Sequence, residues 1–435
     1  MTLATRWRAT AALGRALMLA GLGIGGAVLM GEPVGLVLVA PLVVFAALGL
    51  AARPTRTPSA RADIDHVSLH EGQGTTSRLR LTDAEDAEQI TRVVAEARYV
   101  ATHPADGRVS GFVADGLPIL EISPRRWGRR TLGHERVALT TRWAGYRWGP
   151  ATLPGLEMHV LPGPTAYTSR AETPQPKGLV GAHRSARQGA GTEFAGIREF
   201  QPGDRLRRIN WRISSRTQRL HATTTRAEED AGMLLVIDAV ADHGRSGGVD
   251  GAASSLDLSV RAAAALAEHA VRRGDRIALR VVGGSGRQLR FGSGWVHLRR
   301  LLLALSGIHS GVEGHRALAT HARVPLRATE GTTVVLLTPM LTEAIATVAA
   351  TTARRGLPTL VIDTLPADAE PAFPDDTDPE LADLAWRMRK VEREQVLAGL
   401  SALGCPVVAW RGPGTLDEVL HRLARRAQLP QVRIR

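Results

Sequence analysis

The spacing of apolar positions changes several times along this chain, and each change marks a different kind of element. Past Arg15, Glu32 is the one ionised residue before Ala52. The run LGRALMLAGLGIGGAVLMG leads into EPVG, and LVLVAPLVVFAALGLAA follows. Each apolar half is about 17–19 residues, enough to cross a hydrocarbon core as a helix. Glu32-Pro33 supplies a tight turn. Residues 13–52 therefore read as a transmembrane helical hairpin behind a short segment, 1–12. A cleaved signal peptide is the rival reading. It is weakened because a second apolar segment follows at once.

Residues 53–61 form a linker of Pro, Thr and Arg. Over 62–165 the apolar residues fall into short runs such as HVSLHE, TSRLRLT, LPILEIS and RVALTTRWAGY. Several alternate with polar residues, as in Arg78-Leu79-Arg80-Leu81, and Gly, Pro or Asp separates them. Alternation at period two turns one face of a strand inward, so a small antiparallel β-sandwich is expected. Trp127, Trp143, Tyr146 and Trp148 are expected in its core. Residues 166–190 carry no period and read as a loose connector.

From 231 to 435 the runs become continuous: MLLVIDAV, RIALRVVG, TTVVLLTP, PTLVIDTLP and CPVVAWRG. They alternate with helical patterns at Leu256–Arg273, Trp295–Gly307, Leu341–Arg355, Pro379–Leu403 and Thr415–Ala427. Strands buried on both faces and separated by helices define a doubly wound α/β sheet. RQLRFG fits an antiparallel edge beside RIALRVVG.

Charge orients the hairpin. Arg6, Arg8 and Arg15 precede it, Arg53, Arg56 and Arg61 follow it, and the turn holds only Glu32. The positive-inside rule places both ends, and hence the large remainder, in the cytoplasm. The net charge of +13 is nearly all arginine, since Lys177 and Lys390 are the only lysines. Arginine bias of this kind follows from a GC-rich genome. A nucleic-acid footprint is disfavoured, because acids interleave the basic runs and aromatic platforms are sparse. Anionic lipid headgroups remain a partner for a chain that enters the membrane. Cys405, the one cysteine, excludes an intrachain disulfide and a cysteine-rich zinc site. Its setting, LGCPVVAW, is the start of a buried strand.

One run, 191–226, is dense in turn-formers, aromatics and charges. Its landmarks are Glu193-Phe194, Arg198-Glu199-Phe200, Pro202-Gly203-Asp204, Arg208, Ile209-Asn210-Trp211, Arg212 and Ser215-Arg216. Pro202-Gly203 sets a turn, and Asp204 is placed to cap a helix over RLRRINW. Arg208 and Arg212, four apart, would share its face, and Ser214-Ser215 would turn the chain. Three uses of the run stay open. Glu193, Glu199 and Asp204 pair internally with Arg198, Arg208 or Arg216 while Phe194, Phe200, Ile209 and Trp211 pack on the α/β domain. Or exposed Arg and Trp anchor a protein partner. Or the arginines bind an anion such as phosphate or a lipid headgroup.

These landmarks resemble the signature of the bacterial family known as domain of unknown function 58. Asn210 stands where that signature usually has Asp, and Ser215 where it has Ala. The resemblance implies a β-region, then the signature, then a von Willebrand factor A-like α/β domain. It also implies an adaptor or scaffold working with a MoxR-type AAA+ ATPase to assemble or activate other proteins, and not an enzyme.

Domains of the von Willebrand type often hold Mg²⁺ at the carboxyl ends of their strands, through an Asp, two hydroxyls, a Thr and a second Asp. Asp238 matches the first carboxylate here. Val240 and Asp242 stand at the hydroxyl positions, and Thr338 is the one remaining donor on the later strand. With so few oxygen ligands, metal binding is not expected, and Asp238 reads as a cap for backbone amides at the strand end. No phosphate-cradling loop, GxSxG elbow or HExxH zinc motif occurs. The enzyme alternative rests on a metal or anion bound by Asp238, Asp242 and the arginine cluster.

Overall fold

The computed structural model describes residues 6–163, 184–201, 206–228, 232–311, 332–370 and 378–412, together with 414, 415, 417–419 and 422. It divides into two compact units. One spans Met1–Leu161 with Gly248–Asp250, and the other spans Pro162–Gly247 and Gly251–Arg435.

The first unit opens with a two-residue strand, β1 (Arg8–Ala9), and two helices, α1 (Ala11–Met30) and α2 (Val34–Ala51). Thr10 caps α1, its hydroxyl accepting from Leu13 N, and Gly31 ends it in the left-handed conformation. At 1.5 Å per residue, twenty residues make about 30 Å, the thickness of a bilayer core. Both helices are long and apolar enough to cross a membrane. Most of their large side chains face outward, while Leu13, Ala16 and Ala46 pack together with Leu42, Phe45 and Tyr146.

Eleven further strands follow: β2 (Ser59–Ile64), β3 (Ser68–His70), β4 (Thr75–Thr82), β5 (Ala87–Val94), β6 (Val100–His103), β7 (Arg108–Phe112), β8 (Leu120–Pro124), β9 (Gly128–Thr131), β10 (Glu135–Thr141), β11 (Tyr146–Leu153) and β12 (Glu157–Leu161). They form sheets ordered β1-β11-β10-β5-β7, β2-β4-β8-β6 and β3-β12-β9. Ile90, Val137, Leu139 and Trp148 of the first sheet pack against Ala62 and Leu79 of the second. The expected layering of sheets is present. The expectation of purely antiparallel pairing is not met, because β3 runs parallel to β12. Trp127 and Trp148 are buried as expected. Trp143 is not, being 45% exposed on a short loop where Trp143 and Ala144 both have positive φ.

The second unit begins with a ribbon, β13 (Arg184–Glu199) paired antiparallel with β14 (His221–Glu228), and a seven-residue helix between them, α3 (Trp211–Thr217). Residues 184–190, expected in a connector, lie in β13. Few apolar positions alternate there, so the period carried no sign of a strand.

A six-stranded sheet follows: β15 (Gly232–Asp238), β16 (Arg276–Val282), β17 (Leu289–Gly292), β18 (Thr332–Thr338), β19 (Thr359–Asp363) and β20 (Val407–Ala409). Its order is β17-β16-β15-β18-β19-β20, parallel except for β17 at the edge. The helices are α4 (Ser255–Arg272), α5 (Gly294–Ser306), α6 (Glu343–Arg354) and α7 (Pro379–Ala402). Leu234, Val236, Val334, Leu336 and Val361 meet Ile345, Val348 and Ala349 of α6 and Leu400 of α7. Alternate residues Leu235 and Ile237 are fully buried on the other face. Cys405 is buried in the same cluster as α6 and α7, just ahead of β20. The helix expected over Thr415–Ala427 lies mostly outside the described residues.

Candidate functional site

Two places in the second unit gather the residues that the sequence singles out. The first is the carboxyl edge of the parallel sheet. β15 connects to β16 on one side, while β18 and β19 lie on the other, so the strand order reverses between β15 and β18. Open α/β sheets bind ligands outside such a reversal. Asp238 ends β15 and Thr338 ends β18, and both are buried. Thr338 Oγ1 donates to Asp238 Oδ2 at 2.7 Å, and Val240 N donates to Asp238 Oδ1 at 3.1 Å. Met340 N in turn donates to Thr338 Oγ1 at 2.8 Å. Burial pushes the Asp238 carboxyl up to about 6, against the pull of those two donors. The carboxylate caps an amide at the strand end, as its sequence setting suggests.

Asp242 is turned to another task. Its Oδ1 accepts from Leu256 N at 3.0 Å and from Ser255 Oγ at 3.3 Å, and its Oδ2 accepts from Ser254 Oγ at 3.0 Å. Ser254 and Asp257 form a reciprocal capping box at the start of α4. Asp242 thus sits at the positive end of an eighteen-residue helix. His243, whose N donates to Ser255 Oγ at 2.8 Å, lies 6.1 Å from the Trp386 ring in a stacked arrangement, and burial lowers its pKa.

As they stand, these groups do not fit a divalent cation. The atoms aimed at Asp238 and Asp242 are N–H and O–H donors, whereas a hard cation needs oxygen lone pairs turned inward. Val240 adds a methyl-bearing side chain where a donor oxygen is required. Among the described residues, no three His, Cys, Asp or Glu side chains gather at metal-binding distance.

The sequence reading missed a neighbouring groove. A cavity of about 200 Å³ beyond β18 is lined by Met340–Glu343, Ala346, Arg389, Glu392, Arg393 and Val396. Arg393 pairs with Asp363 at the end of β19 and donates from Nε to Pro339 O at 2.7 Å. Arg389 Nη2 donates to Leu341 O at 3.3 Å. The available signal was positional: Asp363 closes its strand as Asp238 closes β15.

The second place is the signature run. Glu193 and Phe194 lie on β13, where Phe194 stands opposite Thr225, Arg198 opposite Ala222 and Glu199 opposite His221. Pro202, Gly203 and Asp204, with the expected turn and cap, lie outside the described residues. The chain resumes with a single 3₁₀ turn at Leu206–Arg208. The helix then starts at Trp211, not at Arg205. Its cap is Asn210, whose Oδ1 accepts from Ile213 N at 3.3 Å. Ser214 and Ser215 are inside this helix and make no turn. Arg208 belongs to the 3₁₀ turn and Arg212 to α3, with the extended Asn210 between them, so the four-residue spacing does not put them on one helical face.

α3 is moored to β14. Asn210 N donates to His221 O, and Ser214 Oγ accepts from His221 N at 2.9 Å. Ile209, buried, bridges to Ala222. Glu199 pairs with Arg219 at 3.0 Å, not with Arg198, Arg208 or Arg216. Both members of that pair are largely exposed. Arg198 Nη1 donates to Glu199 O at 3.0 Å. Trp211, expected to pack inward, is 68% exposed, and Leu206 and Leu220 are exposed with it. Arg212 and Arg216 are exposed on the same short helix.

This is a mixed α/β chain with two apolar N-terminal helices and several sheets. Residues 196–387 match the model of the family described as protein of unknown function DUF58. Uncharacterized proteins of Mycobacterium bovis and of two strains of Mycobacterium tuberculosis are 29% identical over 150 residues. The matched stretch is 33% of this chain and 46% of each relative, so the chain spans about half the length of the curated relatives it matches.

Proposed function

We propose that this protein is a membrane-anchored adaptor whose soluble units face the cytoplasm and which works with a MoxR-type AAA+ ATPase in assembling or activating other proteins. The observation that carries the reading is the exposed patch on the signature run. Trp211 stands out from a short helix that is fixed to β14 through Asn210 and His221, and Leu206 and Leu220 are exposed before and after it. Arg212 and Arg216 flank them. Tryptophan and arginine are the residue types that most often anchor a protein interface, and a helix already fixed loses little freedom on docking. A buried structural cluster would leave no large aromatic in solvent.

The α/β unit takes the von Willebrand factor A-like role in this reading. A sheet with one antiparallel edge strand and a reversal at Asp238 and Thr338 supports it. The hairpin supplies the anchor. Trp7 Nε1 donates to Arg56 O at 2.7 Å, which ties the two flanks of the hairpin together and favours one side of the membrane for both. The closed hydrogen bonding around Asp238 favours a binding module over the enzyme alternative. The experiment is a pull-down from detergent-solubilised membranes with the full chain as bait. The ATPase is expected with the parent chain and lost with Trp211→Ala and with Arg212→Glu. Equal recovery from all three sinks the docking role of this patch.

A further inference from the structure

The loop between β10 and β11 in the first unit serves neither the adaptor patch nor the sheet core. Its sequence is Arg142-Trp143-Ala144-Gly145. Trp143 has φ 63° and Ala144 has φ 48°. Side chains rarely adopt that conformation, and for a bulky residue it is costly. The turn carries Trp143 outward, 45% exposed.

The loop is held at the base of the hairpin. Thr10, the cap of α1, donates from Oγ1 to Ala144 O at 2.8 Å and from N to Gly145 O at 3.0 Å. Gly145 lies against Gly49 in the last turn of α2; a Cβ added to Gly145 would meet the Gly49 Cα at 2.9 Å. The loop therefore sits level with the first residue of one apolar helix and the last turn of the other. Those helices are each about as long as a bilayer core is thick, so that level is the membrane–water boundary.

The charges point the same way. Arg142 stands 5.7 Å from the centre of the Trp143 ring. Arg8 pairs directly opposite Arg147 across β1 and β11, and both are exposed. Like charges directly opposite on a strand pair repel, and an anion between them offsets the repulsion. Tryptophan is enriched at the level of lipid headgroups, and arginines there attract anionic lipid.

We infer that Arg142–Gly145 is a bilayer-interface anchor, with Trp143 seated among the lipid headgroups and Arg8, Arg142 and Arg147 holding their phosphates. This rests on the hairpin crossing the membrane. It seats the first β-unit on the membrane surface at the point where the hairpin already joins it.

The test uses the full chain reconstituted into phosphatidylcholine vesicles brominated near the headgroup end of the acyl chains. None of the eight tryptophans lies in the apolar helices, so quenched emission comes from indoles at the membrane surface, and the difference between the parent and Trp143→Phe isolates Trp143 from Trp7. Quenching is expected with the parent chain and is expected to fall in Trp143→Phe, a change at an exposed site. Adding Leu22→Trp to that variant places an indole in mid-helix, as a control for insertion. If Leu22→Trp is quenched while Trp143→Phe matches the parent, the anchor is overturned and the spanning hairpin stands. If Leu22→Trp adds no quenched emission, both fall. Including phosphatidylglycerol is expected to increase the Trp143-dependent quenching, and the combined Arg8→Gln, Arg142→Gln and Arg147→Gln variant to lose that increase. An unchanged response to phosphatidylglycerol in the combined variant removes the phosphate contacts from the proposal.

Discussion

Asp238 shows how far a single residue can be read from its setting. Its strand is legible because seven apolar or small positions in a row can only be buried on both faces, and its role follows from standing at that strand's end. The upward shift of its carboxyl is not legible, since it comes from burial in the folded sheet, opposed by a hydrogen bond from Thr338 a hundred residues away. With a folded pKa of about 6 and an ordinary unfolded value of 3.8, the folded chain holds its proton to higher pH. The resulting stability is complete below pH 4 and is lost as pH rises through 6. Asp275, raised to about 6 by burial against the pull of Arg273, adds in the same direction. Asp238→Asn keeps an oxygen for Val240 N and removes the titration. Compared with the parent, it is expected to flatten the fall in stability between pH 4 and 7 by about 2–3 kcal/mol. Chemical denaturation of the two chains at several pH values checks this; parallel curves would refute it. The same residue carries a test of metal binding. Because its oxygens already accept from Val240 and Thr338, millimolar Mg²⁺ or Mn²⁺ is expected to leave the thermal midpoint of the parent unchanged, whereas a site that binds only the folded chain would raise it. Arg92 and Glu135 make the opposite case of a pair that alternation alone hides. Arg92 is completely buried, paired with Glu135 and donating to Ser77 O at 2.8 Å. Removing one charge strands the other, so Glu135→Ala is expected to destabilise the first unit by about 3–5 kcal/mol, read in the same denaturation experiment.

At the scale of elements, period and placement separate what the chain displays from what it conceals. The parallel strands and α4 to α6 come out close to their predicted limits because each buries a regular face, whereas α7 buries only Trp386 and Leu400 and takes its start from the Asp378 cap and Pro379. The hairpin also keeps close to its predicted limits, because Thr10, Gly31 and Pro33 mark its breaks. The signature run behaves otherwise. Its helix has seven residues, two of them large and apolar, so no period distinguishes RLRRINW from WRISSRT. The deciding feature is local chemistry: Asn210 takes an extended conformation and its side chain closes the first turn. Asp and Asn cap about equally well, which explains how Asn210 can stand where the family signature usually has Asp. Asn210→Ala is expected to cost about 1 kcal/mol and to act on α3 alone. Amide exchange should quicken at Ile213 and Ser214 while β15 and β18 keep their protection, and Asn210→Asp should restore the parent rate. If Asn210→Asp exchanges as fast as Asn210→Ala, capping is not what this position does. β13 stayed hidden for a different reason. Its glycines and polar residues satisfy a ladder through backbone alone, which leaves no side-chain rhythm to detect.

For the whole molecule, the proposed membrane hairpin sets the geometry in which the signature patch would have to work. Arginines lie on both outer flanks of the hairpin and Glu32 alone lies in its turn. The bond from Trp7 to Arg56 O and the pairing of β1 with β11 bring the first residues of the chain to the β-unit that follows the second helix. In the proposed topology, one short turn lies on the far side and the soluble units lie on the near side. Trypsin added to inverted inner-membrane vesicles is then expected to degrade the soluble units to a small hairpin fragment, because Arg-rich segments such as 205–208 and 299–300 lie on the side it reaches. In right-side-out vesicles the chain is expected to survive intact, since the turn Gly31–Pro33 holds no arginine or lysine. The reverse pattern would put the signature patch outside the cell, beyond the reach of an ATP-driven partner, and would end the adaptor reading even if Trp211 proved to be a docking residue. Removal of the hairpin supplies a second arm. A chain starting after Ala52 that still pelleted with vesicles would show that Arg142 and Arg147 hold the surface without Arg8 or the helices, and one that stayed in solution would assign the anchoring to the removed segment.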